Sequence, residues 1–222
     1  MMRKTIYHRR IYLSILVPLM TIFFASKVVH ADSKKLFNGK DLSGWHNPYP
    51  HGDATVVDGE IHLLGDKKFF LLTNERYTDF TFEAEVKMPE GRSNSGFMFR
   101  CQKREDGSAF GYQAEVDTSD RRWSGGLYDE GRRRWLHPKK PIRGNPYNDK
   151  YWTVERRNAF NRYEWNRYKI TCKEDHIQIW VNGVLTTDLY DKLDREGYIG
   201  LQHHGEKGQL YRFRNISITT IK

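Results

Sequence analysis

The stretch Phe80-Thr-Phe-Glu-Ala-Glu-Val86 alternates apolar and polar positions with a period of two. Phe80, Phe82, Ala84 and Val86 therefore share one face, with Thr81, Glu83 and Glu85 on the other. Alternation of this kind marks a strand with one buried face. Residues 96–100, 111–117, 167–172, 176–181, 198–202, 210–214 and 216–218 read the same way. Lys173-Glu-Asp175 supplies turn residues between two of these runs, and Asn182-Gly183 sits between Val181 and Val184. Asn-Gly flanked by apolar residues is the strongest short-range hairpin signal. Beyond residue 31 no stretch sustains a 3.6-residue apolar period. Short strands separated by closely spaced turns predict an all-β fold of the antiparallel sandwich type.

One segment breaks the rhythm. Residues 131–162 are polar, basic and aromatic, with Pro138, Pro141 and Pro146 and little alternation. Loops this long inside a domain are functional or disordered. Trp135, Tyr147, Tyr151, Trp152 and Phe160 argue for an ordered excursion beside the working face.

The N-terminus changes the charge argument. Arg3, Lys4, Arg9 and Arg10 precede an apolar run of 15 residues, 11–25, and Val29-His-Ala31 offers small residues at a cleavage point. A basic head, a short apolar stretch and a small-residue exit predict a secretory signal peptide over residues 1–31, and hence a secreted or periplasmic protein. The run includes Pro18 and falls short of the roughly 20 residues a spanning helix needs, so no stable membrane anchor is expected after processing. No Cys follows it to carry a lipid. The chain has 37 Lys and Arg against 28 Asp and Glu; removing the leader's five bases leaves 32 against 28. The basic character is thus largely the leader's, which argues against a nucleic-acid partner. Residues 32–222 fit a single domain with a sizeable core.

The 13 Tyr, 12 Phe and 6 Trp suit pleated sheets and also furnish surfaces on which sugars stack. Cys101 and Cys172 are the two cysteines. Period-two spacing groups them with Phe97 and Phe99 and with Tyr168 and Ile170, which favours two buried thiols over a disulfide. Two cysteines so far apart do not make a zinc site.

The same alternation places Gln113, Glu115 and Asp117 on one face of a strand, opposite Tyr112, Ala114 and Val116. Adjacent carboxylates repel, which raises the pKa of one and prepares it for proton transfer. Gln202-His203-His204 ends a later strand; the two histidines point to opposite sides, so at most one faces a groove. Tyr128, Asp129, Glu130, Arg132, Arg133 and Arg134 form a second polar group, preceded by Trp123 as a stacking platform or a core residue. Metal ligation by one histidine with Glu115 and Asp117 lacks a dedicated ligand spacing, and no metal or cofactor is expected. Phosphate loops, nucleophile elbows and dinucleotide fingerprints are missing from the sequence.

Leu36-Phe-Asn-Gly-Lys-Asp-Leu-Ser-Gly-Trp45 resembles the opening of the 3-keto-disaccharide hydrolase domain family, whose newer names are 3-keto-glucoside 1,2-lyase and 3-keto-2-hydroxy-glucal hydratase. The likeness continues through Asp58-Gly-Glu60, Leu72-Thr-Asn-Glu-Arg-Tyr77, Asn94-Ser-Gly96, Gly111-Tyr-Gln113, Gly125-Gly-Leu-Tyr-Asp129, Trp165-Asn-Arg-Tyr168, Trp180-Val-Asn-Gly183, Gly200-Leu-Gln202 and Phe213-Arg-Asn-Ile216. It implies a concanavalin A-like jelly-roll sandwich and an enzyme that cleaves 3-keto-glycosides. On that implication Glu115 or Asp117 is the base, His203 the proton donor, and Arg100 or Arg133 steadies the enolate. Gln113, Trp123, Tyr128, Glu130 and Gln202 complete the expected sugar contacts. Two alternatives stay open: a non-catalytic carbohydrate-binding module, and a conventional retaining glycosidase, which needs carboxyls about 5–5.5 Å apart.

Overall fold

Alternating sequence becomes strand almost throughout the computed structural model, which describes residues 33–139 and 151–221. The leader predicted at residues 1–31 and Tyr147 of the long excursion lie outside these residues. In chain order the strands are β1 (Ser33–Lys35), β2 (Trp45–His46), β3 (Asp53–Val57), β4 (Glu60–Leu64) and β5 (Phe69–Tyr77). They continue with β6 (Phe80–Lys87), β7 (Asn94–Lys103), β8 (Ala109–Asp117), β9 (Leu127–Glu130) and β10 (Arg134–His137). After the short helix α1 (Val154–Arg157) come β11 (Trp165–Lys173), β12 (His176–Val181), β13 (Val184–Tyr190), β14 (Gly197–His203) and β15 (Tyr211–Thr220).

These strands form two antiparallel sheets, the jelly-roll sandwich that the sequence implied. One runs β13-β12-β11-β6-β15-β4-β3, with β1 added beside β15; the other runs β10-β9-β8-β7-β14-β5-β2. The core lies between them. Phe80, Phe82, Ala84 and Val86 on β6 point inward, as their spacing predicted, and meet Phe97 and Phe99 on β7 and Tyr112, Ala114 and Val116 on β8. Each of the phenylalanine and valine side chains contributes on the order of 1.5–3 kcal/mol by leaving water. The Asn182-Gly183 hairpin forms as expected, with both residues at positive φ (48° and 87°), which is what a primed two-residue turn requires.

The cysteines are free and buried, but the placement of Cys101 differs from expectation. Strict alternation would set Cys101 on the inner face with Phe97 and Phe99. A register irregularity between Met98 and Gln102, with Arg100 at φ 45°, breaks the alternation. Cys101 consequently packs with Phe70, Leu72 and Met98 in a separate small cluster, while Cys172 stays in the main core. Backbone also crowds this irregularity: a Cβ on Gly197 of β14 would stand 2.3 Å from the Arg100 carbonyl carbon, so only glycine fits. Burial pushes both thiols up to about 12.

The excursion at residues 131–162 is ordered where described. β10 pairs with β9, Trp152 is fully buried and donates its indole N–H to Arg122 O at 2.9 Å, and Phe160 packs against the main core. Thr153 caps α1 by accepting from Arg156 N. Among the described residues no helix is long and apolar enough to cross a membrane.

Candidate functional site

The inner face of the seven-stranded sheet is spent on the core, so its polar residues gather on the outer face. Register brings them side by side: Asp117 opposite Asn94, Glu115 opposite Gly96, Gln113 opposite both Met98 and Tyr128, and Tyr128 opposite Trp135. A cavity of about 440 Å³ opens over this patch. Its floor holds Asn94, Gln113, Glu115, Asp117 and Gln202, and its rim carries Lys68, Arg92, Arg121, Glu130, His204 and Glu206. Gly96 keeps the floor open: a Cβ there would stand 2.5 Å from the Gln113 side chain.

Glu115 is the electrostatic centre. Its Oε1 accepts from Asn94 Nδ2 at 2.6 Å and from Arg121 Nη2 at 2.8 Å, and its Oε2 accepts from Gln113 Nε2 at 3.2 Å. Burial penalises the carboxylate more than these donors and the Arg121 charge favour it, and the nearby Asp117 charge adds to the penalty. The group is pushed up to about 7. Asp117 accepts from Arg121 Nε at 2.9 Å and from the Ser119 hydroxyl at 2.9 Å. The guanidinium of Arg121 thus spans both carboxylates, and its carbon lies 4.8 Å from the centre of the Trp135 ring. Trp135 meets Tyr128 edge-on at 5.0 Å and Trp123 at 4.6 Å. Gln113 Oε1 and Gln202 Oε1 are buried with no hydrogen-bond partner among the described residues. Acceptors so placed suit a ligand rich in hydrogen-bond donors.

Four sequence expectations need correction. His203 does not face the groove: its ring lies stacked between Phe69 and Tyr211, and Nε2 bonds Gln209 O at 2.9 Å. Its neighbour His204 takes that place, with Nδ1 3.0 Å from Glu206 Oε1. The Glu206 hydrogen bond raises the His204 pKa, and the Glu115 charge adds to the shift. Arg100 is fully buried at one end of the sandwich, donating to Thr78 O, Glu174 O and Asp79. The register irregularity carries it away from the groove. Arg133 turns to Asp129 on β9 and to Asp191, and it does not border the groove. Trp123 is buried and backs Trp135, which borders the groove together with Tyr128.

Gln113, Glu115, Asp117, Tyr128, Glu130 and Gln202 all border the groove together. Asn94, Arg121, Trp135, His204 and Glu206 were missed. Parity from Gln202 pointed to His204, whereas Arg121 stands in a loop whose folding no spacing rule reads. Among the described residues no group of three or more His, Cys, Asp or Glu is placed to hold a metal ion.

The fold is shared with carbohydrate-binding proteins. Carbohydrate-binding module CBM66 from Bacillus subtilis superposes with a TM-score of 0.59 at 19% identity, covering 80% of this chain and 96% of that one. A candidate glycosyl hydrolase from Parabacteroides distasonis also gives 0.59 at 19% identity, over 86% of this chain and 94% of its own. The lumenal domain of VIP36, in a Ca²⁺/Man3GlcNAc-bound form, gives 0.55 at 11% identity over 87% and 90%. No curated protein matches the chain in sequence. Residues 32–219 match the family described as the 3-keto-alpha-glucoside-1,2-lyase-like domain, a span that takes in every residue of the groove. The chain belongs to that family.

Proposed function

We propose that this protein is an exported enzyme that cleaves 3-keto-glycosides by elimination across C1–C2 and then hydrates the product. The observation that carries this reading is Glu115, a buried carboxyl poised near neutrality at the floor of a sugar-sized groove. General bases work best with a pKa close to the operating pH. A ketone at C3 acidifies the hydrogen on C2, and this is the proton for Glu115 to take. As Glu115 becomes neutral, negative charge moves to the C3 oxygen, and the Arg121 guanidinium is freed to stabilise it. The C1–O bond then breaks, C1=C2 forms and the ketone returns. Protonated His204, held by Glu206, gives its proton to the departing oxygen. Hydration reverses the flow: neutral His204 takes a proton from water, hydroxide adds at C1, and Glu115, whose carboxyl proton has exchanged with solvent once the first sugar has left, protonates C2.

Incubation with a 3-keto-disaccharide in D₂O tests this. The expected products are the two monosaccharides, with one deuterium at C2 of the keto sugar. Release without deuterium would replace elimination by direct displacement. Export is tested by fusing residues 1–31 to a reporter and following its translocation.

A non-catalytic carbohydrate-binding module is the second reading. The aromatic wall of Trp135 and Tyr128 beside the unpartnered amide oxygens of Gln113 and Gln202 suits it equally. Binding of intact glycans without product would favour it.

A further inference from the structure

The groove does not end at Asp117. That residue also borders a second cavity, of about 310 Å³, walled by Arg122, Arg157, Asn158, Phe160, Asn161 and Arg162. A third cavity, of about 410 Å³, shares Arg92 and Arg121 with the groove and Arg162 with the second cavity. The three hollows therefore run together around Arg121 and Asp117. Arg92, Arg121, Arg122, Arg157 and Arg162 line the two outer hollows, which also border Asp117 and Asp120.

Asp117 and Asp120 leave Arg122 and Arg162 open to an incoming anion. Asp117 is already held by Arg121 and Ser119. Asp120 pairs with Arg162 at 2.8 Å, but its side chain is 99% exposed. An exposed pair of this kind contributes little, so an incoming anion displaces it at small cost. Arg122 donates to a neutral amide oxygen, Asn158 Oδ1, at 2.6 Å. Phe160 adds a ring wall and Asn161 an amide, which are groups suited to a sugar rather than to a bare ion.

We propose that this extension is an anion-recognising subsite and that the leaving-group half of the substrate is an acidic sugar, bearing a carboxylate or a sulfate. Planar guanidinium groups match the two or three oxygens of either anion. The assignment of this half as the leaving group rests on the cleavage reading above; the anion preference does not.

The test compares three 3-keto-disaccharides of one linkage, whose leaving sugars are glucose, glucuronate and glucose 6-sulfate. We expect kcat/KM for at least one acidic substrate to exceed the neutral value by about tenfold or more, with the advantage fading as salt screens the site. Arg122→Gln and Arg162→Gln should each lower the acidic value several-fold and leave the neutral one within about twofold. Asp120→Asn should raise the acidic value, because it releases Arg162. Equal rates on all three substrates, or variants that depress acidic and neutral substrates alike, overturn the subsite. Should none be cleaved, calorimetry on the intact disaccharides separates the two ideas. A preference for the acidic ligand keeps the subsite while the cleavage reading fails, and equal affinity removes the subsite as well.

Discussion

Arg121 Nη2 stands 2.8 Å from Glu115 Oε1, so a guanidinium 37% exposed to solvent is joined to a carboxyl that is only 4% exposed. The pair is asymmetric: water stabilises one partner and is denied to the other. Arg121 pulls the Glu115 pKa down, and burial pulls it up further. The stalemate leaves the carboxyl near neutrality, where a small change in surroundings decides whether it holds a proton.

That balance has a thermodynamic signature. The folded pKa of Glu115, about 7, lies above the unfolded value of about 4.3. The folded state therefore binds the extra proton, and stability from this group is fully present below about pH 4.3 and lost as pH rises through about 7. The loss is on the order of 3 kcal/mol. Glu115→Gln mimics the protonated form and has nothing to lose. Urea unfolding of both proteins at pH 4.5 and pH 8 should show the variant gaining on the wild type by about that amount at the higher pH. A constant difference would place Glu115's folded pKa near its ordinary value.

His204 and Glu206 set the other arm of the pH profile. The Glu206 hydrogen bond raises His204, so Glu206→Gln should lower it and move the alkaline limb of kcat/KM to lower pH. His204→Asn should cost about 10²–10⁴-fold on a sugar leaving group, the usual worth of a positioned acid, and far less on p-nitrophenolate, which departs without a proton. Equal losses on the two leaving groups would remove His204 from the acid role.

Trp135 offers a cleaner separation of binding from chemistry. It borders the groove, is braced edge-on by Trp123 and Tyr128, and touches neither Glu115 nor Asp117 by any hydrogen bond. Trp135→Ala should raise KM about tenfold through lost stacking, roughly 1.5 kcal/mol, with kcat changed much less. A fall confined to kcat would show that Trp135 shapes the reacting groups rather than the sugar's seat.

How far these residues could be read without coordinates follows from what encodes them. Strand faces repeat every two residues, so β6, β8 and β12 and the grouping of Gln113, Glu115 and Asp117 were legible. The same rule failed at Arg100 and Cys101, because one irregular residue inverts the parity of everything after it. At the end of β14 the rule holds: counting on from Gln202, which faces the groove, gives His204 and not His203. Arg121 was invisible for another reason. Its position depends on a turn anchored by Asp117 Oδ1 accepting from Ser119 N at 3.0 Å, a link between loop and strand that has no period. Trp123 and Trp135 were legible as aromatic but not as inner and outer members of one edge-on pair.

Gln202 brings stability and function into direct opposition. Gln202 is 1% exposed and its Oε1 has no hydrogen-bond partner among the described residues; a buried acceptor left without a donor costs on the order of 1–3 kcal/mol. Leucine has nearly the same volume, no polar atom, and apolar neighbours within the same sheet face in Phe70 and Met98. Gln202→Leu should therefore raise stability by about 1 kcal/mol while weakening substrate binding by about tenfold. The matching change at Gln113 should behave differently, because Gln113 Nε2 donates to Glu115 and helps to hold its pKa down. Gln113→Leu is expected to push Glu115 higher and shift the acidic limb of the rate profile upward, an effect that Gln202→Leu should not share. Thermal melts and pH–rate curves of the two variants decide the matter. If Gln202→Leu is less stable than the wild type, Gln202 Oε1 is not a source of instability that ligand binding offsets.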